Sequence, residues 1–262
     1  MPQRGDVAVV IPARDEADRI RATVRGAAGL PGVAVVVVVD DGSRDSTGAL
    51  AEQAGAVVVR LARSRGKGAA MAAGAEAVRL LGEQDRDGAH YHLLFLDADL
   101  AETAAAAGPL AEPVRAGSAD MTIAVFSSRV RLGGHGLVVG LSGAGIERAT
   151  GWRPSQPLNG QRCLTRAAFE AAQPLAQGFG VETGLTIDLL RRGFRVREVE
   201  VPLAHRATGT DWRAQLHRAR QFADVARALA ARQPGVTARR ERRSAAARRA
   251  GQPPTGHSAS LP

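Results

Sequence analysis

Short apolar runs alternate with mixed polar stretches along the first hundred residues. The runs are VAVVIPA (7–13), VAVVVVVD (33–40) and AVVVRLA (56–62). Near-continuous β-branched runs of this length are typical of strands covered on both faces, as in parallel sheets. Between them, DEADRIRATVRGAAG and DSTGALAEQAGA have helical spacing, KGAAMAAGAEAVRLL gives a third helix, and HYHLLFLDADL brings a fourth strand. The order β-α-β-α-β-α-β over residues 6–100 predicts an open, doubly wound, mostly parallel α/β sheet.

After residue 100 the alternation loosens. ETAAAAGPLAEPVRAG predicts a helix, ADMTIAVF a strand, GLVVGLSGAGIERATG a helix of small residues, and GQRCLTR a short strand. AAFEAA follows as a helical turn, VETGLTIDLLRRG as a helix ending at Gly193, FRVREVEVPL as a strand, and DWRAQLHRARQFADVARALAAR as a long amphipathic helix. Residues 1–232 are expected to form a single domain with two halves, 1–100 and 101–232. Residues 233–262 are rich in Pro, Gly, Arg and Ser and show no packing pattern, so a disordered basic tail is expected there.

Composition narrows the class. The chain has 262 residues, 45% of them hydrophobic but only 3% aromatic, so Val, Leu, Ile and Ala must build the core. The single cysteine, Cys163, excludes an intramolecular disulfide and a Cys-based metal site. The longest apolar run, 33–39, is far short of a membrane span. The first residues, MPQRGDVAVVIPARDE, have no long apolar segment of the signal-peptide type, so a soluble, cytoplasmic protein is expected. The net charge is +9, yet the seven arginines and one glutamate between Arg232 and Ala250 supply +6 of it. The basicity therefore describes the tail. It argues against sequence-specific nucleic-acid binding and leaves a peripheral contact with anionic membrane open for that segment. A homodimer is left open as well.

In doubly wound sheets, ligands bind outside the carboxyl ends of the strands. Three polar clusters fall there: Pro12 to Glu16, Asp40 to Ser43, and the pair Asp97 and Asp99. Two carboxylates at the mouth of a buried strand repel each other and lose solvation. A divalent cation would compensate them; a solvated strand-end turn is the alternative. Turn and helix-capping preferences account for Ser43 to Thr47 but not for two adjacent aspartates, Asp40 and Asp41. Lys67 is the only lysine in the chain, set between two glycines where a strand gives way to a helix. Glycines there admit close backbone approach, a helix start favours anions, and a lysine adds a compact charge for a phosphate or a base carbonyl. At such a ligand edge, its loss should cost the fold little. Neither GxxxxGK[ST] nor a GxGxxG after the first strand is present, which excludes a P-loop and disfavours a dinucleotide site.

Four motifs in order, IPARDEADRI, VVDDGSRDST, RGKGAAM and FLDADL, resemble the nucleotide-sugar half of family 2 glycosyltransferases with the GT-A fold. The resemblance implies that Pro12, Ala13, Arg14, Glu16, Asp41 and Lys67 hold the nucleotide. It also implies that Asp97 and Asp99 bind Mg²⁺ or Mn²⁺ on the sugar diphosphate, with Asp97 belonging to the donor site and Asp99 essential to catalysis. PLNGQRCLTRAAFE, GFGVETGLTIDLLRRG and VPLAHRATG resemble glucosyl-3-phosphoglycerate synthase-like enzymes. This second likeness implies that Glu182 orients or deprotonates the acceptor and that His205 completes the metal site. One departure stands out. The glycine run 133–140, GGHGLVVG, lacks the Arg and Thr that grip the acceptor's phosphate in those enzymes, with Arg129 and Arg131 just before it as substitutes. The SSRVRLGG stretch is similar to polyprenyl-phosphate glycosyltransferases. The implied activity is metal-dependent hexosyl transfer from a UDP- or GDP-sugar to a small phosphorylated or lipid-phosphate acceptor. A non-catalytic nucleotide-sugar binder and a nucleotidyltransferase are the alternatives. The second of these normally opens with a glycine-rich loop that IPARDE lacks.

Overall fold

A computed structural model describes residues 6–84, 90–126, 136–203 and 212–233, with the backbone alone for 212–218. His205, Arg129, Arg131 and the tail from residue 234 lie outside the described residues. The strands are β1 (Val7–Ala13), β2 (Val33–Asp40), β3 (Val57–Arg60), β4 (His92–Phe95), β5 (Met121–Phe126), β6 (Arg162–Leu164) and β7 (Val196–Val201). They form one seven-stranded sheet in the order β3-β2-β1-β4-β6-β5-β7, so both halves of the chain share a single sheet. All neighbours are parallel except β6, which runs antiparallel to both β4 and β5.

The helices are α1 (Ile20–Ala28), α2 (Thr47–Gln53), α3 (Lys67–Gln84), α4 (Glu112–Arg115), α5 (Gly136–Thr150), α6 (Arg166–Ala171), α7 (Val181–Arg191) and α8 (Trp212–Ala230). Among the described residues, no helix is long and apolar enough to cross a membrane. The first helix starts later than its pattern suggests. Asp15 has φ +54° and Glu16 N–H donates to Thr47 Oγ1 at 2.8 Å, so this stretch is a loop and not a first helical turn. The helix expected over 102–117 is broken into two 3₁₀ turns, 101–106 and 108–110, followed by the single turn of α4. Pro109 and Pro113 have no backbone N–H to donate, so a continuous helix cannot run through them, and each stands at the start of a short turn instead.

Two cores form, one on each face of the sheet. The alternation of β1 divides it cleanly. Val7, Val9, Ile11 and Ala13 face the core under α1, and Ala8 and Val10 face the core under α3, α6 and α7. On α1 the buried residues are Ile20, Thr23, Val24 and Ala27, the i, i+3, i+4, i+7 stripe of a one-faced helix. On α3 the buried face sets the small residues Gly68, Ala70, Gly74 and Ala75 beside Met71 and Val78, and at the small positions the helix lies close on the sheet.

Register determines which loops share an edge. Ala13 pairs with Asp40, so β1 and β2 end together, while β4 ends three residues earlier, with Phe95 opposite Val10, and its following turn runs on toward the same edge. Because β6 is antiparallel, its first residue pairs with the last of β4, Phe95 with Arg162. The segment 157–161 that enters β6 therefore arrives at the same edge.

The close approach of α3 is testable. A Cβ at Gly74 would sit 2.4 Å from Val10 Cγ1 and 3.0 Å from Val39 Cγ2, whereas one at Gly140 on α5 meets nothing within 4 Å. Valine rotamers are stiff and yield little. Gly74→Ala is expected to cost about 1–3 kcal/mol by overpacking despite its better helix propensity. Gly140→Ala is expected to gain up to about 1 kcal/mol. Urea denaturation of both variants checks the pair, and a neutral Gly74→Ala would contradict this packing.

Candidate active site at the carboxyl edge of the sheet

The loop after β1 lies against the loops after β2 and β3. Asp15 Oδ1 accepts from Arg44 N–H at 2.7 Å, Ser43 Oγ accepts from Asp15 N–H at 3.1 Å, and the Arg14 guanidinium donates to Ser64 Oγ at 3.0 Å. Pro12 and Ala13 end the strand beneath this cluster, with Glu16 just beyond. The adjacent aspartates divide the labour. Asp40 accepts from Ser43 N–H at 2.8 Å and closes its own turn. Asp41 accepts from Ser64 Oγ (2.8 Å), Arg65 N–H (2.7 Å) and Gly66 N–H (2.9 Å), and so shapes the loop that launches α3. Gly42, at φ +73°, has no room for a side chain, since a Cβ would lie 2.8 Å from Ser64 N. The amino end of α3, with its outward N–H groups, thus opens onto the edge beside Lys67.

The Asp97-Ala98-Asp99 turn is braced from below by α1. The buried Thr23 hydroxyl donates to Ala98 C=O and accepts from Ala101 N–H, both at 2.8 Å, and Arg19 donates to Asp99 C=O at 3.2 Å. Both aspartates are half-buried. Lys67 Nζ donates to Asp97 Oδ1 at 2.7 Å and lies 2.9 Å from Glu182 Oε1, in the first turn of α7. Burial alone would push the lysine's pKa down, but the two carboxylates outweigh it and hold the ammonium above the usual lysine range. The structure thus brings Lys67, Asp97 and Glu182 into direct contact.

Four residues that sequence reasoning missed complete this cluster. Gln161 Nε2 donates to Asp97 Oδ2 at 2.8 Å. Gly160 leaves the space that the ion pair fills, since a Cβ there would fall 2.3 Å from Lys67 Nζ and 2.8 Å from Asp97 Oδ1. Arg162 is fully buried and donates to Asn159 C=O (2.8 Å), Pro157 C=O (3.0 Å), Glu182 C=O (3.0 Å) and Thr186 Oγ1 (2.8 Å). Burial pushes its guanidinium down to about 10, against the opposing pull of the Glu182, Asp97 and Glu198 carboxylates, and it remains a cation at neutral pH. Asn159 Oδ1 in turn accepts from Gln161 N–H at 3.0 Å. The only signal in the sequence is the polar run Asn159-Gly160-Gln161-Arg162 where a buried strand begins. The neighbouring Cys163 is buried, and burial pushes its thiol up, so it is no nucleophile.

The donor set suits a hard divalent cation. Lys67 divides one positive charge between two carboxylates, so negative charge remains in excess around Asp97. Among the described residues, no three His, Cys, Asp or Glu side chains gather closely enough to enclose an ion. Two carboxylates on one turn fit an ion of the Mg²⁺ or Mn²⁺ kind that keeps waters and takes oxygens from a phosphate ligand.

At this edge parallel strands end beside a braced carboxylate turn, a helix start and a lysine. The glycosyl transferase family 2 model matches residues 8–137. Glycosyltransferase AglJ of Haloferax volcanii is 32% identical over 215 residues, covering 80% of this chain and 67% of that protein. Glucosyl-3-phosphoglycerate synthase from Mycobacterium tuberculosis with phosphoglyceric acid superposes with a TM-score of 0.68 at 26% identity, over 88% of this chain and 80% of that one. The same synthase with Mn²⁺, UDP-glucose and phosphoglyceric acid gives 0.64 at 26% identity, over 87% and 80%. The chain belongs to glycosyltransferase family 2, has a GT-A-like fold and is a glycosyltransferase.

Lys67 carries more of the fold than a residue at a ligand edge would. Its side chain is 26% exposed, against 27% for Asp97 and 8% for Glu182. Lys67→Met would leave two carboxylates facing each other, and the partial exposure brings the expected loss to about 1–3 kcal/mol. Adding Glu182→Gln should recover part of it, giving a coupling energy above about 0.5 kcal/mol in a double-mutant cycle. Denaturant titration of the four proteins measures this, and strict additivity would mean that Lys67 and Glu182 do not interact.

Proposed function

We propose that this glycosyltransferase is metal-dependent and moves a sugar from a UDP- or GDP-sugar to a hydroxyl of a phosphate-bearing acceptor, either a small molecule or a lipid phosphate. One observation carries this proposal: a single ammonium, Lys67, lies 2.7 Å from Asp97 and 2.9 Å from Glu182. The donor-side carboxylate and the acceptor-side carboxylate are therefore neighbours, as transfer between two bound substrates requires. Asp97 and Asp99, with His205, would hold Mg²⁺ or Mn²⁺. When bound, the ion supplies Lewis-acid neutralisation of the departing diphosphate. Pro12, Ala13, Arg14, Glu16 and Asp41 line the nucleotide side, and the start of α3 faces the phosphates. Glu182 accepts a hydrogen bond from the acceptor hydroxyl and orients or deprotonates it. The similar synthase was crystallised with Mn²⁺, UDP-glucose and phosphoglyceric acid, which supports both the donor class and a phosphorylated acceptor.

A thermal-shift screen of UDP- and GDP-sugars, with and without Mn²⁺, tests the proposal. A cognate donor at a hundred times its Kd should stabilise by about 2.7 kcal/mol, a rise of roughly 5–11 °C for a domain of this size, and only with metal. Asp99→Asn should lose the metal-dependent shift and most of the transfer activity. An Asp99→Asn enzyme that binds donor and turns over like wild type would remove the metal assignment.

A further inference from the structure

Gln161 presents one unfilled hydrogen-bonding position at the centre of this edge. The residue is fully buried, and its orientation is fixed. Nε2 donates to Asp97 Oδ2 at 2.8 Å, and the flipped amide would set a carbonyl oxygen against a carboxylate oxygen. Its backbone is fully used, since N–H donates to Asn159 Oδ1 at 3.0 Å and C=O accepts from Ala124 N–H at 3.0 Å. That leaves Oε1, one amide width from Asp97, buried and without a partner among the described residues. Buried side-chain acceptors are almost always paired, and an exception at a functional edge points to a missing hydrogen-bond donor. The surroundings are built to keep the amide in place. Gly160 gives way to the Asp97–Lys67 pair, and Arg162 ties the 157–161 segment to the start of α7 through Glu182 C=O at 3.0 Å.

We propose that Gln161 is a positioning residue of the donor site. Its Nε2 sets Asp97, and its Oε1 accepts a hydrogen bond from an O–H group that arrives with the bound donor. This rests on the donor site proposed above. The O–H group has two sources of the same chemistry, a hydroxyl of the transferred sugar or a water carried by the divalent cation. Either would complete the amide once the neighbouring groups part to admit it, because Oε1 is buried. The residue thereby links the rotamer of a cation-binding carboxylate to occupancy of the donor site.

Calorimetric titration of wild type and Gln161→Met separates these roles. The probes are UDP and GDP without sugar, and UDP-glucose and GDP-mannose, each with Mn²⁺. Methionine keeps the length and volume but removes both polar atoms. In stability the lost hydrogen bond to Asp97 and the removed unpaired acceptor offset each other, while donor affinity falls about tenfold or more, equivalent to about 1.4 kcal/mol. A loss in the sugar and sugar-free arms alike places the role on the Asp97 and cation side of the donor. A loss confined to the sugar arm identifies a sugar hydroxyl. Affinities within twofold of wild type in both arms overturn the proposal, whatever the melting temperature does. Should Gln161→Met not fold, Gln161→Glu is titrated in the same way. Its carboxylate repels Asp97 and should weaken binding as much, and unchanged affinity again overturns the assignment. A wild type that binds none of the four probes takes down the donor site itself. Normal wild-type binding with an unaffected variant removes only the role of Gln161.

Discussion

The contact between Lys67 and the two carboxylates of Asp97 and Glu182 joins the halves of this molecule. Asp97 follows a strand of the first half, Glu182 lies in the first turn of a helix of the second, and Lys67 begins a helix that packs on β1 and β2. In sequence they lie far apart, yet one ammonium touches both acids. A lone carboxylate at this depth would be costly. With the lysine in place, one positive charge offsets two carboxylates, so the edge is ordered and stays negative.

Much of the surrounding structure serves that contact. Among the described residues Arg162 is the largest fully buried side chain, and its four oxygen acceptors belong to the segment before β6 and to the first turns of α7. A buried cation bonded mainly to carbonyls is an expensive way to hold two elements together. It also lends positive potential beneath Glu182 and Asp97. On the other side, Thr23 and Arg19 fix the backbone of the 97–99 turn, so both carboxylates project from a turn that cannot relax away from the edge. The site is thus preorganised by side chains that need never meet a substrate.

The first half was legible because its physics is local. Valine-rich runs that read as strands are strands, the helices fall between them, and the parallel register sends Asp40, Asp97 and the start of α3 to one edge, where ligand chemistry was expected. Two details were not legible. One is what Asp41 holds in the fold: its carboxylate oxygens take three donors from residues 64–66, a partner set 23 to 25 positions away that no local pattern signals. The single helix expected after residue 101 is fragmented by prolines whose effect an alanine-rich composition masks. In the second half, a strand of three residues gives too little pattern to show its direction, and only its antiparallel pairing brings Gly160, Gln161 and Arg162 into the site. Glu182 was found by resemblance and not by periodicity, since an acid in the first turn of a helix is ordinary.

Because Lys67 is the only lysine, its state can be read directly in the whole protein. The account predicts that an amine-selective acylating reagent modifies Lys67 at least tenfold more slowly than a free lysine, its ammonium held between two carboxylates. Glu182→Gln should speed that reaction, as read by peptide mass spectrometry. Labelling of Lys67 at the rate of a free lysine, unaltered by Glu182→Gln, would contradict the ion-paired bridge on which the arrangement of the site depends.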